Sequence, residues 1–118
     1  MSEWKMASAP YSDGARDLTM DLNADGVSGT IAGSVVFKGT TFTVSGVWAA
    51  AGSEPDRDYT VIGLSGANAS SPTRTIALVA TVVMGGGSAQ GMDVNLVTAS
   101  SADDTERTWG GAVQAISY

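Results

Sequence analysis

Polar and apolar residues alternate over most of the stretch Thr40-Thr41-Phe42-Thr43-Val44-Ser45-Gly46-Val47-Trp48-Ala49-Ala50. Phe42, Val44, Gly46 and Trp48 fall on one face of an extended strand, because successive side chains of a strand point to opposite sides. An amphipathic helix would instead repeat its apolar residues every three to four positions. The pattern therefore predicts a β-strand with one buried face.

Comparable runs occur on both sides of this strand, separated by clusters of Gly, Asp, Asn, Pro and Ser. Such runs, bounded by turn-forming residues, are typical of antiparallel β-structure. Because the connections are short, we expect neighbours in sequence to pair in space. The predicted fold is all-β, an antiparallel up-and-down barrel of about eight strands, with a β-sandwich as the alternative. The expected strands cover residues 4–9, 16–22, 27–38, 40–50, 58–65, 73–84, 92–98 and 105–118.

Some strands carry further information about their surroundings. The run 73–84 has apolar residues in phase from Ile76 to Met84, and Val79 and Val83 on its other face, so we expect it to be covered on both sides. Gly29 and Gly33 indicate bending or a close approach of two backbones. For residues 59–64 and 109–116, the sequence does not decide which of the two alternating sets of side chains points inward.

Composition limits the classes of protein to consider. The 118 residues are expected to form a single domain, 1–118, and with 43% hydrophobic and 15% charged residues the chain should fold around one core. The absence of Cys and His removes disulfides, zinc–thiolate sites and Ser-His-Asp triads. The carboxylate pairs Asp103-Asp104 and Asp56/Asp58 lie in polar loops, where raised pKa values are not expected. We therefore expect no enzyme activity and no cofactor.

The net charge of −6 bears on the choice of partners. Six basic residues are scattered along the sequence, so we expect neither nucleic acid nor an anionic membrane as a partner. No run of about 18 apolar residues is present, which predicts that no segment spans a bilayer. No signal peptide is visible near the first residues, and the compartment stays unknown. The basic residues are Lys5, Arg16, Lys38, Arg57, Arg74 and Arg107.

Three segments carry a family resemblance. Asp25-Gly26-Val27-Ser28-Gly29-Thr30 is similar to a turn and second strand that run Asp-Gly-x-x-x-Gly-Thr-Tyr, with one residue fewer. Phe42–Trp48 is similar to the strand that follows. In Met92–Tyr118, a strand ending in Leu-x-Thr, the pair Thr105-Glu106 and then Trp109 look like a final hairpin. From about residue 21 onward the chain thus resembles the avidin and streptavidin barrels, which implies an eight-stranded barrel.

The same resemblance implies that the standard biotin site is largely missing. At the matching positions this chain has Met6, Ile31 and Ser117, where the family uses Asn, Tyr and Asp, and only Trp109 keeps its identity. Each buried polar contact that is not made costs roughly 1–3 kcal/mol. We therefore expect biotin to bind weakly or not at all.

The candidate ligand-binding residues are Trp48, Trp109, Ile31 and Ser117. The two tryptophans come from different strands, and together they would form walls of a pocket. Aromatic side chains more often fill a core, so a filled barrel is the alternative use of the same residues.

Asp21-Leu22-Asn23-Ala24-Asp25-Gly26 matches the opening of a calcium loop, with Asp21, Asn23 and Asp25 as ligands. The position of the bidentate Glu of an EF-hand is Ala32, and a hairpin turn uses the same residue types, so we favour a turn and no metal. Asp13, Asp17, Asp21 and Asp25 are four residues apart, which indicates a solvated strand face.

Two functional hypotheses stay open. In the first, the chain is a non-catalytic barrel that binds a small apolar or amphipathic molecule between the barrel mouth and its loops. In the second, it is a structural or interaction module with a filled barrel, which acts through its surface or as a homo-oligomer. The interior distinguishes them, since a binder leaves a pocket beside Trp48 and Trp109.

Overall fold

Eight antiparallel strands form a closed barrel in the computed structural model, which describes residues 2–54, 57–68, 70, 73–85, 88–100 and 106–116. Each strand pairs with the next in sequence, and β1 closes on β8 through the pairs Met6–Ala115 and Ala7–Gln114. The predicted up-and-down barrel is confirmed, and the sandwich alternative is wrong. The strands are β1 Ser2–Ala7, β2 Leu18–Ala24, β3 Thr30–Phe37, β4 Thr40–Glu54, β5 Arg57–Asn68, β6 Arg74–Gly85, β7 Ser88–Ser100 and β8 Glu106–Ala115.

The inward face of each strand carries the apolar residues of the alternating pattern. Phe42 and Val44 are buried, as the opening strand pattern predicts, and the neighbouring strand buries Ile62 and Leu64. The structure thereby shows which side chains of residues 59–64 point inward, namely the set that includes Ile62 and Leu64. In β8 the inward residues include Val113, which is fully buried.

The turn between β2 and β3 corrects one expectation. Val27 does not begin a strand in phase with Ile31, because it lies in this turn and is 100% exposed. The Asp25 carboxylate accepts hydrogen bonds from the backbone N–H groups of Val27 and Ser28, at 2.9 and 3.3 Å. Gly29 then adopts a φ of 73°. These turn contacts delay the start of β3 to Thr30.

Three inward glycines allow neighbouring backbones to approach closely. A Cβ atom on Gly33 would lie 2.1 Å from the carbonyl oxygen of Asp21, which confirms the close approach expected there. A Cβ on Gly46 would lie 1.8 Å from the carbonyl oxygen of Gly63, and one on Gly66 would lie 1.8 Å from that of Thr43. No side chain fits at these positions without a shift of the backbone.

The up-and-down path gathers the connections at two ends of the barrel. We call the first the Lys38 end, after the β3–β4 turn at Lys38-Gly39, where both residues have positive φ, as a two-residue hairpin of type I′ requires. The second is the Asp25 end, after the β2–β3 turn. Strands β4, β6 and β8 start at the Lys38 end, and β3, β5 and β7 finish there.

Large side chains fill the described interior of the barrel. Their burial removes apolar surface from water, which contributes about 1.5–3 kcal/mol for each large aliphatic or aromatic side chain. This interior is a packed core. The largest side chains with less than 2% exposure are Met6, Leu18, Leu22, Ile31, Val35, Phe42, Ile62, Val82, Val94 and Val113.

Two tryptophans near the Asp25 end differ in one hydrogen bond. Trp48 donates its indole N–H to the carbonyl oxygen of Asp25 at 3.1 Å, whereas the buried indole N–H of Trp4 has no partner among the described residues. An unsatisfied buried donor costs about 1–3 kcal/mol, and Phe removes that donor. We therefore expect both variants to lower the free energy of unfolding, and the loss for Trp4→Phe to be about 1 kcal/mol smaller than the loss for Trp48→Phe. Urea unfolding of the two variants would contradict this if Trp4→Phe were the more damaging.

Candidate functional site

Two of the four predicted ligand-binding residues lie near the Asp25 end. The Trp48 ring packs edge-on against Trp4, with 6.4 Å between ring centroids, and its N–H is bonded to Asp25. Ile31 pairs with Ala24 and is 1% exposed, so it belongs to the packed core. Both side chains are thus engaged in contacts within the barrel.

Trp109 lies near the opposite, Lys38 end. Its ring packs edge-on against Phe37 with 6.4 Å between centroids, and its indole N–H donates to a carboxylate oxygen of Asp17 at 3.3 Å. Ser117 lies outside the described residues. The structure therefore brings Trp48 and Ile31 to one end of the barrel and separates them from Trp109.

Asp17 joins the segment between β1 and β2 to β8. Its carboxylate accepts one hydrogen bond from the Tyr11 hydroxyl, whose oxygen lies 2.8 and 2.9 Å from the two carboxylate oxygens, in addition to the bond from Trp109. The hydrogen bond to Asp17, followed by the negative charge of that carboxylate, raises the pKa of the Tyr11 hydroxyl. The backbone carbonyl of Asp17 also accepts from the N–H of Lys38 at 2.8 Å. These contacts give Trp109 and Asp17 a structural role.

The residues of the calcium pattern do not form a loop around a common centre. Asp21 and Asn23 are exposed residues of β2 and pair with Ser34 and Ala32 of β3. Only Asp25 lies in a turn, and its oxygen is bonded to backbone N–H groups. Within the described ranges no group of three or more acidic residues is placed to hold a metal ion. The expected acidic strand face is also wrong, since of the four aspartates β2 contains only Asp21.

The Asp25 turn predicts a pH-dependent contribution to stability. The hydrogen bonds from the N–H groups of Val27 and Ser28 hold the pKa of Asp25 below its ordinary value of 3.8. A lowered folded-state pKa stabilises the fold above the unfolded pKa, and this stabilisation is lost as the pH falls through the folded pKa. We expect Asp25→Ala to lower the unfolding temperature at neutral pH and to have less effect well below pH 3.8.

Calcium should not shift the unfolding temperature of the unmodified chain; a saturable shift abolished by Asp21→Ala would contradict the turn interpretation.

The central parts of β4, β5 and β6 present an outer surface without charged residues. Residues 41–49, 59–67 and 75–83 contain no Asp, Glu, Lys or Arg. Val47, Val61 and Val79 point outward there and are 65%, 46% and 57% exposed. The expectation that β6 is covered on both sides is therefore wrong within one chain, because its outer face is open to solvent. We call this surface the valine face.

The valine face has a groove between two ridges. Gly63 of β5 pairs with Val47 of β4 on one side and with Val79 of β6 on the other. A Cβ built on Gly63 would meet nothing within 4 Å, so the space above it is open. Two exposed valines thus flank a position with no side chain, and the outer surface of β7 continues the groove with Asn95 and Val97.

The basic residues are less scattered in space than along the sequence. Lys38, Arg74 and Arg107 lie in the β3–β4 turn, at the first residue of β6 and near the start of β8, all at the Lys38 end. The even strands of an up-and-down barrel start at the same end, and that brings together residues more than 30 positions apart. For these three residues, separation along the sequence therefore does not mean separation in space.

Comparisons with protein-family models, with curated proteins and with solved structures found no match. The resemblance to the avidin and streptavidin barrels therefore stays a prediction. Among the described residues there is no helix long and apolar enough to cross a membrane. The loop pairs considered for acid–base chemistry fall largely outside the described residues, at 55–56 and 101–105.

Proposed function

We propose that this chain is a non-catalytic interaction module with a filled barrel, and that it self-associates through the valine face. The single observation that carries the proposal is the exposure of Val47, Val61 and Val79 on three adjacent strands without a charged residue among them. Contiguous apolar surface of this kind commonly marks a site of protein–protein contact.

The packing of the interior supports the second hypothesis over the first. A chamber for an apolar ligand would need space between Trp48 and Trp109, but these lie toward opposite ends with a packed core between them. Both indole N–H groups already donate to Asp25 or Asp17. A ligand in the centre of the barrel would have to displace buried aliphatic side chains.

The closed topology limits how a partner can bind. Strands β1 and β8 pair through Met6–Ala115 and Ala7–Gln114, and each of β2 to β7 has a strand on both sides, so those six strands offer no edge to which another chain could add a strand. Contact of a partner with β4, β5 and β6 must therefore use side chains on their outer face. Two sheets that pack face to face lie about 10 Å apart and interlock their outward residues.

A second copy of the chain suits the valine face better than a partner of opposite charge. Each copy carries a net charge of −6, so two copies repel one another except where the contact surface carries no acid. A basic partner would be attracted instead to the face with exposed Glu3 and Asp21 on β1 and β2. In a two-fold arrangement, Val79 of each copy would lie over Gly63 of the other, which fills both grooves with the same contact.

The size of the face predicts a reversible association. From β4 to β7 it spans roughly 14 Å across the strands and roughly 27 Å along them, or roughly 400 Å² in projection. Stable standard interfaces bury about 800 Å² on each partner. We therefore expect a dissociation constant on the order of 10 µM.

Sedimentation equilibrium of the unmodified chain tests the proposal. The average mass is expected to rise from 11.9 kDa at low concentration towards twice that value at high concentration. The data should fit a monomer–dimer equilibrium. A mass that stays at 11.9 kDa at concentrations about tenfold above the expected dissociation constant would overturn the proposal.

A further inference from the structure

We infer that Asp25-Gly26, in the turn between β2 and β3, is a site of spontaneous covalent modification, at which the aspartate side chain cyclises onto the main chain and reopens as isoaspartate. The inference does not depend on self-association, because neither residue belongs to the valine face. The chain contains a second Asp-Gly pair, Asp13-Gly14, in the segment between β1 and β2. The two pairs can therefore be compared within one molecule.

The reaction needs no reactant other than water. The backbone nitrogen of Gly26 bonds to the Cγ atom of Asp25, and one carboxyl oxygen leaves as water, which carries the proton of the nitrogen and one proton from solvent. The product is a succinimide ring. Water then adds to the main-chain carbonyl carbon of Asp25 and breaks its bond to the nitrogen, which regains a proton, while the new carboxylate releases one to solvent. The main chain now runs through the side-chain methylene group.

The carboxyl groups of the two pairs are held in a similar way. Oδ1 of Asp25 accepts a hydrogen bond from the N–H of Val27 at 2.9 Å and a longer one from that of Ser28 at 3.3 Å. Oδ1 of Asp13 accepts a bond from the N–H of Ala15 at 2.9 Å. Each bond from the second residue onward folds the carboxyl back towards the glycine peptide and so brings Cγ towards the attacking nitrogen. The position of the carboxyl group therefore does not distinguish the two pairs.

The two attacking nitrogens differ in their hydrogen bonds. The N–H of Gly14 donates to the carbonyl oxygen of Tyr11 at 2.9 Å, whereas the N–H of Gly26 donates to no described residue. The nitrogen must lose its proton to attack, so at Gly14 a hydrogen bond has to break first. The net value of one hydrogen bond, about 1 kcal/mol, converts to a reaction about fivefold slower. Gly26 is also exposed, so water for the reopening step reaches it.

The modification releases Trp48 from the turn. The main-chain carbonyl oxygen of Asp25 accepts the indole N–H of Trp48 at 3.1 Å and the backbone N–H of Gly29 at 3.0 Å. In isoaspartate this carbonyl becomes a free carboxylate beside a main chain that is longer by one methylene group, so the two bonds cannot both keep their geometry. We therefore expect the aged chain to have a shifted tryptophan emission and a lower unfolding temperature than the fresh chain.

Incubation of the folded chain at neutral pH and physiological temperature, followed by proteolysis and mass spectrometry, tests the inference. We expect isoaspartate to form at residue 25 about fivefold or more faster than at residue 13, with an intermediate that is lighter by one water molecule. In concentrated urea, where both turns are lost, the two pairs should react at similar rates because each has glycine after the aspartate. Equal rates at the two pairs in the folded chain, or the same preference in urea, would overturn the inference.

Gly26→Ala is the matched variant. The φ of Gly26 is not positive and a Cβ atom there would meet nothing within 4 Å, so the variant should fold like the unmodified chain. Its methyl group hinders the approach of the nitrogen to Cγ, so isoaspartate at residue 25 should fall below the level at residue 13. Trp48→Phe should form isoaspartate at residue 25 without a shift in emission. An unchanged rate in Gly26→Ala, or an unchanged emission of the aged unmodified chain, would overturn the inference.

Discussion

Replacing Val79 with lysine is expected to weaken self-association about 100-fold or more while leaving the barrel folded. Val79 is 57% exposed in one chain and lies beside Gly63, in the centre of the valine face. In a two-fold dimer the substitution places two ammonium groups in the contact, and each loses water without gaining a partner. A 100-fold change corresponds to about 2.7 kcal/mol, which is moderate for two unpaired charges at the centre of an interface.

Val27→Lys is the matched control for this result. It makes the same chemical change at a position that is 100% exposed in the β2–β3 turn, away from the valine face. Sedimentation velocity should show monomeric Val79→Lys at concentrations where Val27→Lys and the unmodified chain still dimerise. Both variants should unfold within about 1 kcal/mol of the unmodified chain, because neither side chain is buried in the monomer. Equal association of the two variants would contradict the proposed interface.

Gly46→Ala is expected to lower the free energy of unfolding by about 3 kcal/mol or more. The added methyl group would lie 1.8 Å from the carbonyl oxygen of Gly63 and 2.8 Å from its carbonyl carbon, and both are backbone atoms. The strands β4 and β5 would have to separate at Gly46–Leu64, where they are paired. Overpacking that moves backbone commonly costs 1–3 kcal/mol and sometimes more. Such a loss would lower the unfolding temperature by roughly 10 °C.

Gly63→Ala provides the control for the steric argument. It adds the same methyl group to the neighbouring strand, where nothing lies within 4 Å. Its free energy of unfolding should stay within about 0.5 kcal/mol of the unmodified chain or rise slightly, because alanine restricts the unfolded chain more than glycine. Thermal unfolding at dilute, monomeric concentration compares the two. If Gly46→Ala were as well tolerated as Gly63→Ala, the close approach of β4 and β5 at this position would be wrong.

The fold could be predicted from alternation and turn residues because both act locally. The pattern of Phe42, Val44, Gly46 and Trp48 specifies one buried face, and short polar connections specify antiparallel neighbours. Val27 is apolar and in phase with Ile31, which predicts that it belongs to the strand. The hydrogen bonds that Asp25 makes in the turn outweigh that pattern, and they depend on backbone geometry that hydrophobicity does not report.

The candidate functional surfaces are harder to predict because they depend on the three-dimensional path of the chain. Residue type alone predicts that Trp48 and Trp109 form walls of one pocket, but their positions along the barrel place them toward opposite ends. Lys38, Arg74 and Arg107 are far apart in sequence, although counting alternate connections of the predicted barrel would have placed them at the same end. The sequence predicts part of the valine face, since Val79 and Val83 indicate a second apolar face on β6.

The most direct test of the central claim is the concentration dependence of the backbone amide NMR spectrum. On raising the concentration from well below to well above the dimer dissociation constant, we expect shifts at Val47, Val61, Gly63 and Val79. The signals of outward residues on the opposite wall, such as those of Lys5 and Asp21, should stay unchanged. A spectrum that does not change with concentration, or shifts that fall on β1 and β2, would contradict association through the valine face.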